Sequence, residues 1–490
     1  MASFQHKHRG GETMIKGLKA ALGAAVVGLL AGTALSASPA LAQNADDSDL
    51  VAKGAYVARL GDCVACHTAL HGTAFAGGLQ IKTPIGAIYS TNITPDPKTG
   101  IGSYTLEDFD KAVRHGIRKD GSALYPAMPY PSFARMSEDD IKALYAYFMH
   151  GVAPVDQPNK PADISWPLSM RWPLAFWGKM FAPAPKAFTP APGTDPVVAR
   201  GEYLVTGPGH CGACHTPRGF SMQEKAYDAA GGADFLGGGA PIDNWIAPSL
   251  RSDPVLGLGR WSEDDLVQFL RSGRIDHSAA FGGMADVVAW STQYWSEDDL
   301  RATAKYLKSL PEVPKAKGDY TYDPSTAQAL DAGKTAGMTG ADVYVQQCAI
   351  CHRNDGAAVD RMFPPLAGNP VVVSENPTSV AHIVAAGGVL PPTNWAPSAV
   401  AMPGYQKILN DQQVADVVNF IRTSWGNKAP ANVTASDVSK LRQASQSVLD
   451  RRSWTDEPTS TSSWGLFGPQ PYGEGWTFSP DTHAGVDNPQ

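Results

Sequence analysis

The stretch GDCVACHTAL (61–70) places two cysteines three positions apart, with a histidine directly after the second. The same C-x-x-C-H pattern returns in GHCGACHTPR (209–218) and in QQCAICHRND (346–355). The residues of the three copies are Cys63, Cys66, His67, Cys211, Cys214, His215, Cys348, Cys351 and His352. The chain has six cysteines, and the three copies contain all of them. One chemistry must therefore explain every thiol and the histidine that follows each pair.

Two kinds of site explain the cysteine pairs only in part. A structural zinc site needs four ligands, so two-cysteine half-sites would have to pair, and three half-sites leave one over. A dithiol redox pair explains the spacing of the cysteines. Neither kind of site requires a histidine after the second cysteine in all three copies.

Covalent haem attachment explains the whole pattern. C-x-x-C-H is the signature of c-type haem attachment. Residues i, i+3 and i+4 share one face of a helix, so both sulfurs can form thioethers with one porphyrin and the imidazole can lie beneath the iron. The sequence therefore predicts three covalently bound haems c, with His67, His215 and His352 as proximal iron ligands.

The N-terminal residues have the features of an export signal. In residues 14–42, Lys16 and Lys19 precede an apolar stretch of about a dozen residues, and Ala40-Leu41-Ala42 is an A-x-A cleavage site. That stretch is shorter than the roughly 20 residues that span a bilayer. We therefore predict a cleaved signal peptide (1–42) and an exported protein.

The charge of the chain argues against binding to nucleic acid. The full chain has a net charge of −7, and removal of the predicted leader takes away four basic residues and one acidic residue, which leaves −10. An acidic protein repels a polyanion, so no nucleic-acid partner is expected. No later segment has 18 uninterrupted apolar residues, so no transmembrane helix is predicted.

The three motifs lie within three similar stretches of sequence. GAYVARLGDCVACHT (54–68) matches GEYLVTGPGHCGACHT (201–216) and, more loosely, GADVYVQQCAICHRN (340–354). In the first two copies we expect a short helix to run from the glycine into the motif. The turn sequences DPKTGIG (96–102) and DPVLGLG (253–259) also match each other.

Helical patterns follow each motif. Residues 104–117 and 261–275 begin with a Thr or Ser N-cap and an acidic first turn, and continue with apolar residues at helical spacing. Residues 136–148, 295–307 and 409–421 have the pattern of amphipathic helices that close each copy. No long strand-like alternation competes with these patterns. The predicted fold is therefore all-α, with three tandem class I cytochrome c-like domains, each around one haem.

Proline-rich segments divide the chain into these units. The predicted organisation is a signal peptide (1–42), domain 1 (43–160), a Pro/Trp-rich linker (161–194), domain 2 (195–312), a linker (313–335), domain 3 (336–428) and a C-terminal tail (429–490). In the tail we expect little regular structure beyond a helix near residues 436–447.

A methionine in each unit is the candidate for the second axial iron ligand. Met128 lies in a proline-flanked loop, Met284 in a stretch of small residues, and Met402 directly before a proline. All three precede the closing helix, and we expect each to lie in a loop. Met136 has hydrophobic-staple spacing with Ile141 and is predicted to be structural.

Three histidines are rival ligands. They are His115, His277 and His382, and each is more typical of a surface residue or of one that contacts a haem propionate. Histidine–methionine ligation raises the potential of the iron and suits electron transfer. With both axial positions filled there is no vacancy for a substrate, so we expect the chain to carry electrons and not to be catalytic alone.

Several stretches resemble the trihaem cytochrome c subunits of membrane-bound dehydrogenases of acetic acid bacteria. They are most similar to the subunit of the pyrroloquinoline-quinone alcohol dehydrogenase. The stretches are RLGDCVACHTALHG, YSTNITPDPKTGIGSYTLEDF, DISWPLSMRWPL, GGAPIDNWIAPSLRS, GRIDHSAAFGGMADVVA, LPPTNWAPSAVAMPG and PQPYGEGWTFSP. The haem motifs and the three methionines match that family position by position.

The resemblance implies a place in an electron-transfer complex. It implies a large quinoprotein subunit with its own haem that oxidises ethanol to acetaldehyde, and often a small third subunit. Electrons then pass through this chain to ubiquinone at the periplasmic face of the inner membrane, where the chain is peripherally associated. Similar subunits serve gluconate, sorbitol, glucose and aldehyde dehydrogenases, so the partner determines the substrate.

The segment ISWPLSMRWPLAFWGKMF (164–181) has two interpretations. Its tryptophans and interspersed cations are typical of a bilayer interface. It is equally compatible with a linker packed against its own domains or a partner.

Two other functions remain open at this point. A multihaem peroxidase-like enzyme would need one iron without its methionine, which the Fe–S(Met) charge-transfer absorption counted per haem would reveal. A soluble periplasmic shuttle without a fixed partner would purify as a lone monomer without detergent.

Overall fold

The structure is a computed structural model that describes residues 39–69, 72–313 and 318–449. The described residues from Asp46 onward belong to one compact unit, which carries all three motifs. The predicted signal peptide (1–42) falls almost entirely outside the described residues, as does the tail beyond residue 449. We use the word repeat for each chain segment that contains one C-x-x-C-H motif, the first in 46–160, the second in 195–313 and the third in 318–449.

Helices form most of the regular structure of the described residues. The first repeat has α1 (Pro39–Leu60), α2 (Cys63–Cys66), α3 (Leu106–His115), α4 (Tyr130–Phe133) and α5 (Glu138–Ala146), which continues as a π-helix (Tyr147–Gly151). Between the first two repeats lies α6 (Trp172–Phe181). The second repeat has α7 (Pro196–Thr206), α8 (Gly212–His215), α9 (Glu263–Ser272), α10 (Gly283–Trp290) and α11 (Glu297–Ser309), with short 3-10 helices at Ala229–Asp234 and Thr292–Tyr294. The third has α12 (Ser325–Asp331), α13 (Ala341–Gln347), α14 (Ala349–His352), α15 (Pro370–Val373), α16 (Thr378–Ala386), α17 (Asp411–Thr423) and α18 (Ala435–Leu449).

Two small antiparallel sheets show that the all-α prediction is too strict. Strands β1 (Gln80–Thr83) and β2 (Gly86–Tyr89) form a hairpin, and β3 (Gly388–Val389) pairs with β4 (Ala401–Met402). Strands of four and two residues are too short to show a period of two in the sequence. The described fold is mostly helical.

The predicted helix starts are confirmed. Thr105 and Ser262 cap α3 and α9 with capping boxes, in which the side chain of the third residue bonds back to the cap. The closing helices α5, α11 and α17 are capped by Ser137, Ser296 and Asn410, whose side chains each accept from the backbone N–H three residues on, and of these three only α17 has a full capping box. The matching turn sequences also fold alike, since Asp96 and Asp253 each accept backbone N–H groups two and three residues on.

Each repeat has its own apolar cluster. The first joins α1 to α3 and α5, the second joins α7 to α9 and α11, and the third joins α13 to α16, α17 and α18. In each cluster the helix before the motif packs on the closing helix. The three clusters follow the three motifs along the chain, while the exact domain boundaries stay a prediction.

A glycine lets these two helices cross closely in every repeat. A Cβ atom on Gly54 would lie 1.9 Å from the Ala143 carbonyl oxygen, and one on Gly201 would lie 1.9 Å from that of Ala302. In the third repeat a Cβ on Gly340 would lie 2.3 Å from a carbonyl oxygen of α17. The expectation that these glycines start the first two helices is wrong, because α1 and α7 begin further upstream. The glycines are needed where two backbones approach.

The segment between the first two repeats and the described part of the predicted tail both pack against neighbouring elements. The Pro/Trp-rich segment contains α6, which the sequence did not predict, and its later residues Lys186 and Phe188 donate backbone hydrogen bonds to the carbonyls of Ala134 and Arg135. The expected helix in the tail is present as α18, which packs on α16 and α17. Within the described residues, no helix is both long and apolar enough to cross a bilayer.

Candidate haem sites

The three cysteine pairs lie on or beside single-turn helices, as the motif requires. Helices α2, α8 and α14 each cover part of one motif and hold its two sulfurs one helical turn apart. The six cysteines are free thiols. Burial raises the pKa of the first thiol of each motif, Cys63, Cys211 and Cys348, to about 12. A redox dithiol has a lowered pKa instead, so these thiols have the opposite environment.

The motif histidines share one hydrogen-bonding arrangement. His67 Nδ1 lies 2.7 Å from the Thr91 carbonyl oxygen, His215 Nδ1 lies 2.7 Å from that of Pro248, and His352 Nδ1 lies 3.1 Å from that of Pro364. A carbonyl oxygen only accepts, so each Nδ1 carries the proton and Nε2 keeps its lone pair. Burial also lowers the pKa of all three imidazoles. Each ring is therefore neutral, fixed in tautomer and able to bind iron through Nε2.

A large cavity joins the second and third motifs. Its volume is about 1540 Å³, above the upper range of about 1,000 Å³ for a site that binds one small ligand. The predicted site residues that line it are Cys66, Cys211, Cys214, His215, Met284, Cys348, Cys351, His352 and Met402. The structure therefore brings the cysteines, histidine and methionine of the second repeat together, and does the same for the third. Cys66 extends the same cavity to the edge of the first motif.

The methionines occupy three different local structures. Met128 packs in a loop against the first apolar cluster, together with Cys63. The expectation that all three lie in loops is wrong for Met284, which is in the first turn of α10, and for Met402, which is in β4. Gly282 lies two residues before Met284, and Gly388 pairs with Met402. A Cβ atom on Gly282 would lie 2.6 Å from the Trp245 ring, and one on Gly388 would lie 2.8 Å from the Phe281 ring, so both positions have room only for a hydrogen. Each of these two methionines therefore lies beside a backbone that packs tightly against an aromatic ring.

The other methionine and two of the three rival histidines make contacts of a different kind. Met136 is buried with Ile141 in the first cluster, as its staple spacing predicted. His115 Nε2 lies 3.8 Å from Asp110 Oδ2 on its own helix, α3, and His277 Nε2 lies 3.7 Å from Asp265 Oδ2 on the preceding helix, α9. Both rings are partly exposed.

The surface interpretation of His382 is wrong. Its ring is 2% exposed and stands edge-on to Trp245, with 4.8 Å between ring centroids. Burial lowers its pKa to about 4, although Asp243 opposes that shift. Helix α16 carries this histidine into the contact with the second repeat, so its burial depends on a neighbouring repeat that the local sequence does not reveal.

These residues fit a covalently bound haem c in each repeat. Each motif supplies two free thiols and a neutral imidazole, and the cavity is predominantly lined by apolar side chains. When bound, haem c supplies an iron that gains and loses one electron. The chain would hold such a group through the two cysteine sulfurs, fix the tautomer of the histidine, and exclude water around the group.

A reciprocal contact joins the first and second repeats. Tyr56 on α1 donates to Asp299 Oδ2 at 2.7 Å, and its oxygen accepts from the Ser296 N–H at 3.0 Å. Tyr203 on α7 donates to Asp140 Oδ2, and its oxygen accepts from the Ser137 N–H at 3.3 Å. Each repeat therefore places a tyrosine of its first helix on the N-terminus of the other repeat's closing helix. We infer a pseudo-twofold relation between the two repeats.

The same junction brings the two motifs close. His210, directly before Cys211, has its Nε2 3.3 Å from the Gly61 carbonyl oxygen, and its ring stands edge-on to Phe133. Sequence reasoning missed His210 and the tyrosine exchange. The signal for the exchange was present, since GAY (54–56) and GEY (201–203) are equivalent.

Comparison with known proteins agrees with this geometry. The profile of the cytochrome c family matches residues 51–151 and 338–425. The alcohol dehydrogenase (quinone) cytochrome c subunit of Gluconacetobacter polyoxogenes is 71% identical over 97% of this chain and all of its own length. That of Gluconobacter oxydans (strain 621H) is 64% identical over 95% of this chain and 96% of its own. The gluconate 2-dehydrogenase cytochrome c subunit of Pantoea cypripedii is 58% identical over 85% and 95%.

The two profile matches contain the first and third motifs. The second motif lies between them, and its repeat has the same capped helices, helix crossing and histidine–carbonyl bond. Full-length similarity to the alcohol dehydrogenase subunits covers all three. The chain belongs to the family of cytochrome c subunits of quinone-dependent alcohol dehydrogenases.

Proposed function

We propose that this chain carries electrons from a quinone-dependent alcohol dehydrogenase subunit, which oxidises ethanol to acetaldehyde, through three haems c to membrane ubiquinone. The observation that carries the proposal is the shared cavity, which holds the attachment and ligand residues of the second and third motifs and reaches Cys66 of the first. Electron transfer requires cofactors with facing edges, and a continuous cavity supports that arrangement.

We further propose the complete set of haem ligands. The thioethers form on Cys63 and Cys66, on Cys211 and Cys214, and on Cys348 and Cys351. The irons are bound by His67 and Met128, by His215 and Met284, and by His352 and Met402. The three histidine–carbonyl bonds and the two methionines in the cavity support this assignment. Since every axial position is then filled, the chain is an electron carrier and the partner is the catalyst.

The proposed partners are a large subunit with pyrroloquinoline quinone and its own haem, and a small third subunit. The predicted signal peptide supports a location at the periplasmic face of the inner membrane, with peripheral association. The relatives are named as subunits of an alcohol dehydrogenase (quinone), which supports contact with the membrane quinone pool.

The second candidate is the equivalent subunit of a gluconate dehydrogenase, which the 58% identity to the Pantoea cypripedii protein supports. The equivalent subunit of a sorbitol or an aldehyde dehydrogenase is a further alternative. The alcohol assignment is favoured because identity and coverage are higher, at 71% over 97% of the chain. A soluble shuttle is disfavoured because relatives of full length are named as subunits.

A reduction experiment distinguishes these functions. The complex is purified from membranes through a tag on this chain, and ethanol or gluconate is added without oxygen while haem absorption is followed. We expect ethanol, but not gluconate, to reduce the haems. Reduction by gluconate alone would assign the chain to a gluconate dehydrogenase, and no reduction by either would favour the shuttle.

A further inference from the structure

One face of α6 exposes an apolar stripe to solvent. Trp172, Phe176 and Met180 follow one another at spacings of four residues, and they are 64%, 63% and 69% exposed. The rings of Trp172 and Phe176 pack edge-to-face at 6.2 Å between centroids. Residues at i, i+4 and i+8 share a helix face, so the stripe is continuous. A soluble protein rarely leaves such a surface uncovered.

The opposite face of α6 fixes the helix to the first two repeats. Trp177 Nε1 donates to the Ser221 carbonyl oxygen at 2.8 Å, and its ring packs edge-on against Tyr130 of the first repeat. Arg171, directly before the helix, donates to the Ala123 carbonyl oxygen at 3.0 Å. The stripe is therefore held outward on a rigid support and is not the inner face of a loose linker.

Two further exposed groups extend the stripe into a surface. Phe220 is fully exposed at the tip of the loop to which Trp177 bonds, and Met222 follows it. On the N-terminal side, Trp166 and Leu168 are 80% and 56% exposed. We call the set Trp166, Leu168, Trp172, Phe176, Met180 and Phe220 the aromatic surface.

The charge around the aromatic surface is opposite to that of the rest of the chain. Residues 164–194 contain Arg171, Lys179 and Lys186 and no aspartate or glutamate, whereas the whole chain has a net charge of −7. Tryptophans mixed with cations are typical of helices that lie in the headgroup region of a bilayer. A cationic rim also matches the negative surface of a membrane with anionic lipids.

We propose that the aromatic surface docks this chain onto the lipid bilayer, with α6 lying in the membrane interface. The proposal rests on the proposed function, because a ubiquinone-reducing subunit has to reach a lipid-soluble acceptor. Docking through α6 turns the junction of the first and second repeats toward the membrane, since α6 contacts both.

Vesicle flotation of the full-length chain with its haems tests the proposal. The vesicles are phosphatidylcholine alone, or phosphatidylcholine with one-fifth phosphatidylglycerol. The variant combines Trp172→Ala, Phe176→Ala and Met180→Ala, which keep helix propensity. The control combines Leu50→Ala, Val197→Ala and Ile408→Ala, which also remove exposed apolar side chains. We expect the variant to bind about 100-fold more weakly and the control to bind like the natural chain.

A second variant guards against loss of fold. Phe220→Asp changes a fully exposed loop tip, so it should leave the haem content unchanged and weaken vesicle binding about tenfold. Equal binding by the natural chain and the triple variant would overturn the proposal, as would binding that salt abolishes. If the triple variant floats normally but fails to assemble with the dehydrogenase subunit, the surface is a protein interface instead.

The proposed function is tested separately. Haem reduction by ethanol in detergent solution, with the dehydrogenase subunit present, does not need a bilayer. If ethanol reduces the haems normally, the natural chain floats and the triple variant does not, the results support docking and function together. Normal flotation of the natural chain without ethanol-dependent reduction would overturn the function alone.

Discussion

The junction between the first and second repeats differs in kind from that between the second and third. The first junction exchanges equivalent side chains, with Tyr56 and Tyr203 each bonded to the other repeat's closing helix. The second junction rests on loops, in which Arg274 donates to the carbonyl oxygens of Pro391, Ala396 and Ser398. His382 adds an uncharged aromatic contact there.

The third repeat cannot take part in the exchange because it lacks both partners. Asp342 occupies the position of the two tyrosines, and Gln413 occupies that of Asp140 and Asp299. Gln413 instead bonds back to its own N-cap, Asn410. Three similar folds in one chain thus pack in two ways, and the two positions that make the exchange differ in the third repeat.

The largest effect is expected for Asp299→Ala. Asp299 is buried and accepts from Tyr56 and, with both oxygens, from Arg200 at 2.7 and 2.8 Å. Its loss leaves a buried phenol and a half-buried guanidinium unpaired, so we expect the free energy of unfolding to fall by about 3 kcal/mol. Denaturant titration followed by circular dichroism measures it. Asp298→Ala, one residue away and exposed, is the control, and an equal loss there would refute the role of the contact.

An intermediate effect is expected from acid at the second junction. The pKa of His382 is about 4 in the fold and 6.5 when solvated, so the unfolded chain binds the extra proton first. The contribution of neutral His382 is complete above pH 6.5 and is lost as the pH falls toward 4. Between pH 8 and pH 5 we expect this group alone to lower the free energy of unfolding by about 2 kcal/mol.

The test compares variants at both pH values. His382→Phe should lose this part of the pH dependence, whereas the partly exposed His277→Gln should keep it. An unchanged difference between pH 8 and pH 5 in His382→Phe would show that the second junction is not sensitive to acid through this residue.

The smallest effect tests whether the first junction is reciprocal. Tyr56→Phe and Tyr203→Phe each remove one hydroxyl that donates to a buried aspartate, so each should cost about 1 kcal/mol in the free energy of unfolding. Tyr322→Phe, whose hydroxyl is exposed, should cost close to nothing. Clearly unequal losses for Tyr56 and Tyr203 would break the pseudo-twofold relation.

The sequence determined those parts of the protein that depend on neighbours along the chain. The spacing of Cys63, Cys66 and His67 sets a haem motif within one helical turn, and the Thr105 and Ser262 caps act on N–H groups three residues away. Such interactions are complete within a few residues, so their pattern is visible without a fold.

Tertiary structure decided what depends on distant residues. It selected the carbonyls of Thr91, Pro248 and Pro364 for the three histidines, and it placed Met402 in a strand. It also buried His382 against another repeat and turned the stripe of α6 outward. These outcomes depend on how segments up to 243 residues apart meet, as Tyr56 and Asp299 do. Local spacing contains no information on that packing, because the energy that fixes it comes from surfaces that only the folded chain brings together.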